Sequence, residues 1–218
     1  MTAPVDTPAL RERVIATARA LNPLNLNRGK AGNVSARVDG GFVITPSGMA
    51  YDALRADDIA RISDAGSVQG RCAPSSEWRM HEAIYAARSD LAAIVHAHAP
   101  FCTALACLGR GIPPFHYMIA VAGGDDVRCA PYATFGTSEL AVHTVAALSG
   151  RKACLLANHG LVAGDENLER ALALAVDIEA LAEIYCRALA IGGPALLDRA
   201  EIARVIEAFR CYGQPSGA

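Results

Sequence analysis

A chain of 218 residues, 52% hydrophobic and 19% charged, is long enough to bury a sizeable core and suits one domain rather than two. Its formal net charge of −2, with no cluster of Lys or Arg interleaved with aromatics, excludes electrostatic binding of nucleic acid. Seven cysteines, an odd number without a C-x-x-C pair, point to reduced thiols, and with no basic-then-apolar leader in Met1–Asp6 and charges breaking the Ala/Leu-rich run near 170–190, a cytoplasmic protein off the membrane is expected.

In chain order, Leu10, Val14, Ile15, Ala18 and Leu21 share one helical face between Pro8 and Asn22-Pro23, which predicts a helix over Pro8–Leu21. Asn33–Val38 and Phe42–Thr45 flank Asp39-Gly40-Gly41 and read as a hairpin. A helix over Glu77–Arg88 follows, its N-terminus supplied by Ser75 or Ser76. Leu91–Ala99 reads as a buried strand, and Pro100 opens a short helix to Leu108. Thr137-Ser138 caps a helix to Leu148, and Ala153–Ala157 is a short apolar strand. Asn167–Ala190 is a long amphipathic helix ended by Gly192-Gly193-Pro194, and Asp198 with Glu201 resembles a capping box for a last helix to Phe209. The expected architecture is an α/β fold of the α+β type, a central, mainly antiparallel sheet with helices on both faces. The domain spans 1–209, and a Gly-, Pro- and Ser-containing mobile tail, 210–218, follows.

The chemistry gathers on four residues. Side chains alternate along a strand, so His96 and His98 project from one face of the 91–99 strand, where two imidazoles can converge on one ion. His159, at the end of the 153–157 strand, supplies a third, and a catalytic zinc takes three protein ligands while keeping a place for water or substrate. Glu77 then serves as a base or as a fourth, exchangeable ligand. Taken singly, each histidine reads equally as a satisfied core or turn residue. Gly32-Asn33, Ser47-Gly48 and Ser75-Ser76 are three points where glycine, hydroxyls and a helix N-terminus let a backbone approach an anion without lysine. Each alone is ordinary turn chemistry. Because Ser76 adjoins Glu77, an anion at the cap and a metal at the carboxylate lie within one small ligand of each other, so a phosphorylated chelating substrate fits.

Seven stretches carry a family resemblance, in order along the chain: Ala31–Ser35, Ile44–Gly48, Ser75–Arg79, Val95–His98, His116–Ala120, Cys129–Thr137 and Asn158–Leu161. From about Leu10 to Phe209 the chain resembles the class II aldolases, within them the branch acting on L-fuculose 1-phosphate. The resemblance implies the class II aldolase and adducin fold and zinc on His96, His98 and His159, with cobalt or manganese as possible substitutes. It implies Glu77 as an acid/base able to visit the metal, and phosphate on Gly32, Asn33, Ser47, Gly48, Ser75 and Ser76. Tyr117 and Tyr212 match catalytic tyrosines. Ser47 stands where the family often has threonine, which preserves the hydroxyl, whereas the tail departs from the family's usual ending after Tyr212-Gly213. A cyclic homotetramer with active sites between neighbours is implied as well.

The expected reaction is reversible cleavage of a ketose 1-phosphate, L-fuculose 1-phosphate or a close analogue, to dihydroxyacetone phosphate and a short aldehyde such as L-lactaldehyde. Zinc would polarise the carbonyl, Glu77 would move the C3 proton and a tyrosine would serve the C4 oxygen. Three alternatives stand beside it: an aldolase for 5-deoxypentulose or methylthio-pentulose 1-phosphate, a pentulose-phosphate 4-epimerase, and a non-catalytic zinc or sugar-phosphate binding module.

Overall fold

The computed structural model describes residues 3–210. Its chain runs α1 (Pro8–Ala20), β1 (Asn33–Val38), β2 (Gly41–Ile44), β3 (Ala60–Ser63), β4 (Val68–Gln69), α2 (Trp78–Ala87) and β5 (Ala93–Ala97). It continues through α3 (Pro100–Cys107), β6 (Arg128–Ala130), α4 (Ser138–Ala147), β7 (Ala153–Leu156), β8 (Gly160–Asp165), α5 (Leu168–Ala190) and α6 (Arg199–Arg210). The strands form one eight-stranded sheet in the order β4-β3-β2-β1-β5-β8-β7-β6. Every pairing is antiparallel except that of β6 with β7, so the mainly antiparallel α/β architecture read from the sequence holds.

Helices cover both faces because the strands are apolar on both. On β5, Ala93, Val95 and Ala97 join the core packed under α1, α3 and α5, whereas Ile94 joins the core under α2 and α4. The parity places His96 among the residues of the second face. Caps fall where side-chain chemistry puts them. Thr7, Thr137 and Asn167 accept hydrogen bonds from the backbone N–H groups of Leu10, Leu140 and Arg170, and Asp198 accepts from that of Glu201.

Four strands were not foreseen. β3 and β4 form a hairpin at one edge, the three-residue β6 sits at the other, and β8 lies next to β5 near the middle of the sheet. The sequence of β8, Gly-Leu-Val-Ala-Gly-Asp, lacks the β-branched density that marks a strand, and burial along its whole length overrides that weak propensity. Among the boundaries that move, two bear on the site. α2 begins at Trp78, leaving Glu77 in the N-cap position, and β5 ends at Ala97, leaving His98 just beyond the strand. The six described cysteines are free thiols, and no helix among the described residues is long and apolar enough to cross a membrane.

Candidate active site

Two chain segments bring the histidines together. β5 delivers His96 and, one residue past its end, His98. The connection between β7 and β8 delivers His159, because Asn158 takes up the left-handed conformation (φ 55°) that asparagine tolerates and the chain reverses within three residues. The three rings lie edge to face, with centroids 4.8–5.1 Å apart, and one nitrogen from each comes within 4.8 Å of the others. Sheet packing makes this closeness possible at Gly160, where a Cβ would stand 2.5 Å from the Ala97 carbonyl oxygen and 3.1 Å from the His98 ring.

Glu77 enters from the start of α2. Its Oε2 lies 3.1 Å from His96 Nε2 and its Oε1 3.3 Å from His159 Nε2. His96 Nδ1 donates to the Leu161 carbonyl oxygen at 2.9 Å, which orients the ring with Nε2 toward the cluster, the usual way a protein fixes a ligating imidazole. Three of the buried polar atoms that make no hydrogen bond are Glu77 Oε1, His96 Nε2 and His98 Nε2. Buried polar atoms are rarely left unsatisfied, and these converge on one point with the donor set of a zinc site, so the residues fit a divalent metal.

Electrostatics agrees with that fit at two of the three imidazoles. Burial pushes the imidazoles of His98 and His159 down to about 4, leaving both neutral, as metal ligands must be, at neutral pH, whereas at His96 burial is outweighed by the Glu77 carboxylate, which pushes that imidazole up. Burial alone would raise the Glu77 carboxyl, but His96, His159 and the Asn33 amide outweigh it and hold the group well below the usual carboxylate range. Glu77 is therefore ionised.

Beside the cluster opens a cleft of about 340 Å³. Gly32, Asn33, Ser47, Gly48, Ser75 and Ser76 all line it, together with Glu77, His98 and His159. Two loops are stitched together to build its floor. The backbone N–H of Ser75 donates to the Thr45 carbonyl and that of Ser47 to the Ala73 carbonyl, which puts the two serine loops side by side. Gly32 holds a left-handed φ of 79° where a Cβ would stand 2.5 Å from the His96 carbonyl oxygen, so only glycine lets the third loop approach. The serine hydroxyls do not cap α2 as expected. Ser75 Oγ accepts from the Glu77 backbone N–H at 3.3 Å, and the outer residues Ser47, Gly48 and Ser76 are exposed to the cleft.

Tyr117 does not line this cleft. It opens a 3₁₀ helix (Tyr117–Ala122), half exposed, stacked on His116 at 4.9 Å and edge-on to Phe209 of α6 at 6.4 Å. Tyr212 lies outside the described residues.

Several residues escaped the sequence reading. Asn27 accepts the backbone N–H of His98 at 2.7 Å and donates to the Ala31 carbonyl, tying the metal cluster to the Gly32 loop. Nothing local in the sequence signals it. Lys30 lines the cleft mouth and donates to the Gly48 carbonyl at 2.8 Å, adding a positive charge beside the serine and glycine loops. Tyr132 and Phe135, both exposed, line the side beside the serine loops. His81 hydrogen-bonds Asn33, and its spacing of four from Glu77 on one helical face was a usable signal.

Residues 12–186 match the family model described as Class II Aldolase and Adducin N-terminal domain. The chain belongs to the class II aldolase family. This aldolase is 53% identical over 205 residues to a 5-methylthioribulose-1-phosphate/5-deoxyribulose-1-phosphate aldolase of Rhodospirillum rubrum, covering 94% of this chain and 93% of the relative. It is 49% identical over 205 residues to the L-fuculose phosphate aldolase of Escherichia coli K12, covering 94% and 95%. A solved L-fuculose 1-phosphate aldolase superposes with a TM-score of 0.91 at 42% identity, covering 94% of this chain and 97% of that one. The protein is thus a class II aldolase, of a family whose members are metal dependent and whose aldolase relatives act on small sugar phosphates, and the His96, His98 and His159 cluster is where its residues could hold a metal.

Proposed function

We propose that this aldolase cleaves a deoxyketose 1-phosphate, L-fuculose 1-phosphate or a 5-deoxy- or 5-methylthio-pentulose 1-phosphate, to dihydroxyacetone phosphate and a short aldehyde with an apolar end. The observation that carries the reading is the joining of the three-histidine cluster to a cleft whose other end offers three anion-binding loops. The relatives' names support the substrate range, since one acts on L-fuculose phosphate and another on methylthio- and deoxyribulose phosphates. The named relatives are aldolases, and neither the epimerase nor the binding module draws support from them.

In this proposal His96, His98 and His159 hold a zinc ion, with cobalt or manganese as substitutes. When bound, the metal supplies a Lewis acid that stabilises negative charge developing on the substrate's carbonyl oxygen. The chain's own groups do the rest. The loops of Gly32-Asn33, Ser47-Gly48 and Ser75-Ser76 hold the phosphate, and Lys30 adds charge at the mouth. Glu77, ionised and with Oε1 unpaired, takes or returns the proton at the carbon that becomes C3 of dihydroxyacetone phosphate. Tyr117 serves the C4 oxygen from a neighbouring subunit of a homotetramer, because in its own chain it stands outside the cleft. Tyr212, which follows α6, is proposed to act from the same neighbour.

A panel of L-fuculose 1-phosphate, 5-deoxyribulose 1-phosphate and 5-methylthioribulose 1-phosphate, assayed for release of dihydroxyacetone phosphate, tests the assignment. Turnover of at least one is expected, with the highest kcat/KM naming the substrate. No triose phosphate from any of them would overturn it.

A further inference from the structure

Behind Asn33 a chain of buried polar side chains runs from the cleft into the core under α2. Asn33 Nδ2 donates to Glu77 Oε2 at 3.0 Å, and Asn33 Oδ1 lies 2.5 Å from His81 Nε2. His81 Nδ1 lies 2.7 Å from Ser35 Oγ, which is 2.8 Å from the Tyr85 hydroxyl. His81 is fully buried, and nothing in the proposed reaction uses it.

We infer that His81 is a positioning residue: its ring fixes which way round the Asn33 amide sits and so keeps an N–H, not a carbonyl oxygen, against the Glu77 carboxylate. The inference rests on the reading of Glu77 as the proton-transfer group.

Only one polarity satisfies every atom of the chain. Asn33 offers Nδ2 to Glu77 Oε2 at 3.0 Å, which leaves Oδ1 facing the imidazole. The ring must then donate from Nε2. A neutral ring carrying that proton has a bare Nδ1, so Ser35 donates to it and accepts in turn from Tyr85. Burial keeps the ring neutral by pushing it down to about 3. Turning the amide over would set two acceptors 3.0 Å apart at Glu77 and two donors 2.5 Å apart at His81, in a place without room to relax. The consequence reaches the reacting carbon. Anchoring Oε2 leaves Oε1 as the free oxygen, and small losses of alignment at a reacting group cost about 10²-fold in rate.

The test uses the full-length, metal-loaded enzyme and reads exchange of the C3 proton of dihydroxyacetone phosphate with solvent deuterium, alongside KM, metal content and thermal midpoint. His81→Phe is expected to slow exchange by about 10- to 100-fold with KM and metal content unchanged. His81→Gln, whose amide N–H can still donate to Asn33, should recover most of that rate. In the Glu77→Gln background His81→Phe should add no further loss, as expected of residues acting through one another. Wild-type exchange in folded His81→Phe beside a defective Glu77→Gln overturns this inference alone. Wild-type exchange in Glu77→Gln instead removes the reading of Glu77, and this inference with it. Should His81→Phe not fold, Ser35→Ala carries the test, because it removes only the hydroxyl that holds the ring's tautomer. Slower exchange at constant metal content then supports the positioning role, and an unchanged rate refutes it.

Discussion

Glu77 is placed where a general base and a metal neighbour compete for one side chain. It is buried, ionised, 3.1 Å from one candidate ligand and 3.3 Å from another, with a single hydrogen bond to Asn33 steadying Oε2. An amide at this position keeps the shape but cannot carry a proton. Glu77→Gln is therefore expected to lower cleavage about 10²- to 10⁴-fold while retaining the fold and most of the metal. Rate measurements paired with metal analysis check this, and a loss of metal as large as the loss of rate would make Glu77 a ligand rather than a base. The clustering of the candidate site residues was largely legible in the sequence because their spacing carries geometry. The alternation at His96 and His98 forces one face, and the adjacency of Ser76 to Glu77 forces nearness. Asn27 and Lys30 were not legible, since each acts through a contact with a backbone group brought close only by the fold.

At the scale of elements, the helices were read well because their periodicity and caps are local, and the strands less well because a strand's neighbours are not. β8 shows the reason. Its two glycines lower its propensity, yet Gly160 is what lets β8 lie against the end of β5, where a methyl group would meet the Ala97 carbonyl and the His98 ring. The residue that hid the strand is the one the site requires. Gly160→Ala should cost about 1–3 kcal/mol of stability by overpacking and should loosen the His98 to His159 spacing. Denaturation and metal titration of that variant together check the claim. Unchanged stability with unchanged metal affinity would show that the sheet absorbs the extra carbon without strain.

Across the whole molecule, the cleft and Tyr117 occupy different parts of one chain, and α6 ends beside Tyr117 rather than beside the histidines. If Tyr117 serves a neighbour's cleft, two defective variants should repair each other. His96→Ala and Tyr117→Phe, each impaired alone, should regain about a quarter of full activity when co-assembled, since a random mixture pairs an intact cluster with an intact tyrosine at that frequency. Activity no greater than the mean of the two variants would assign Tyr117 no role across the interface. The sequence could not reveal this separation, because spacing within a chain says nothing about distance between chains. The central claim, that the three-histidine cluster holds the metal on which cleavage depends, is tested most directly by following triose phosphate release through chelation and reloading. Cleavage of the best substrate of the panel should disappear as the metal is removed and return at one zinc per chain, and His96→Ala should neither bind that equivalent nor regain activity. Full turnover by protein shown to be metal-free, or stoichiometric zinc at wild-type affinity in His96→Ala, would contradict it.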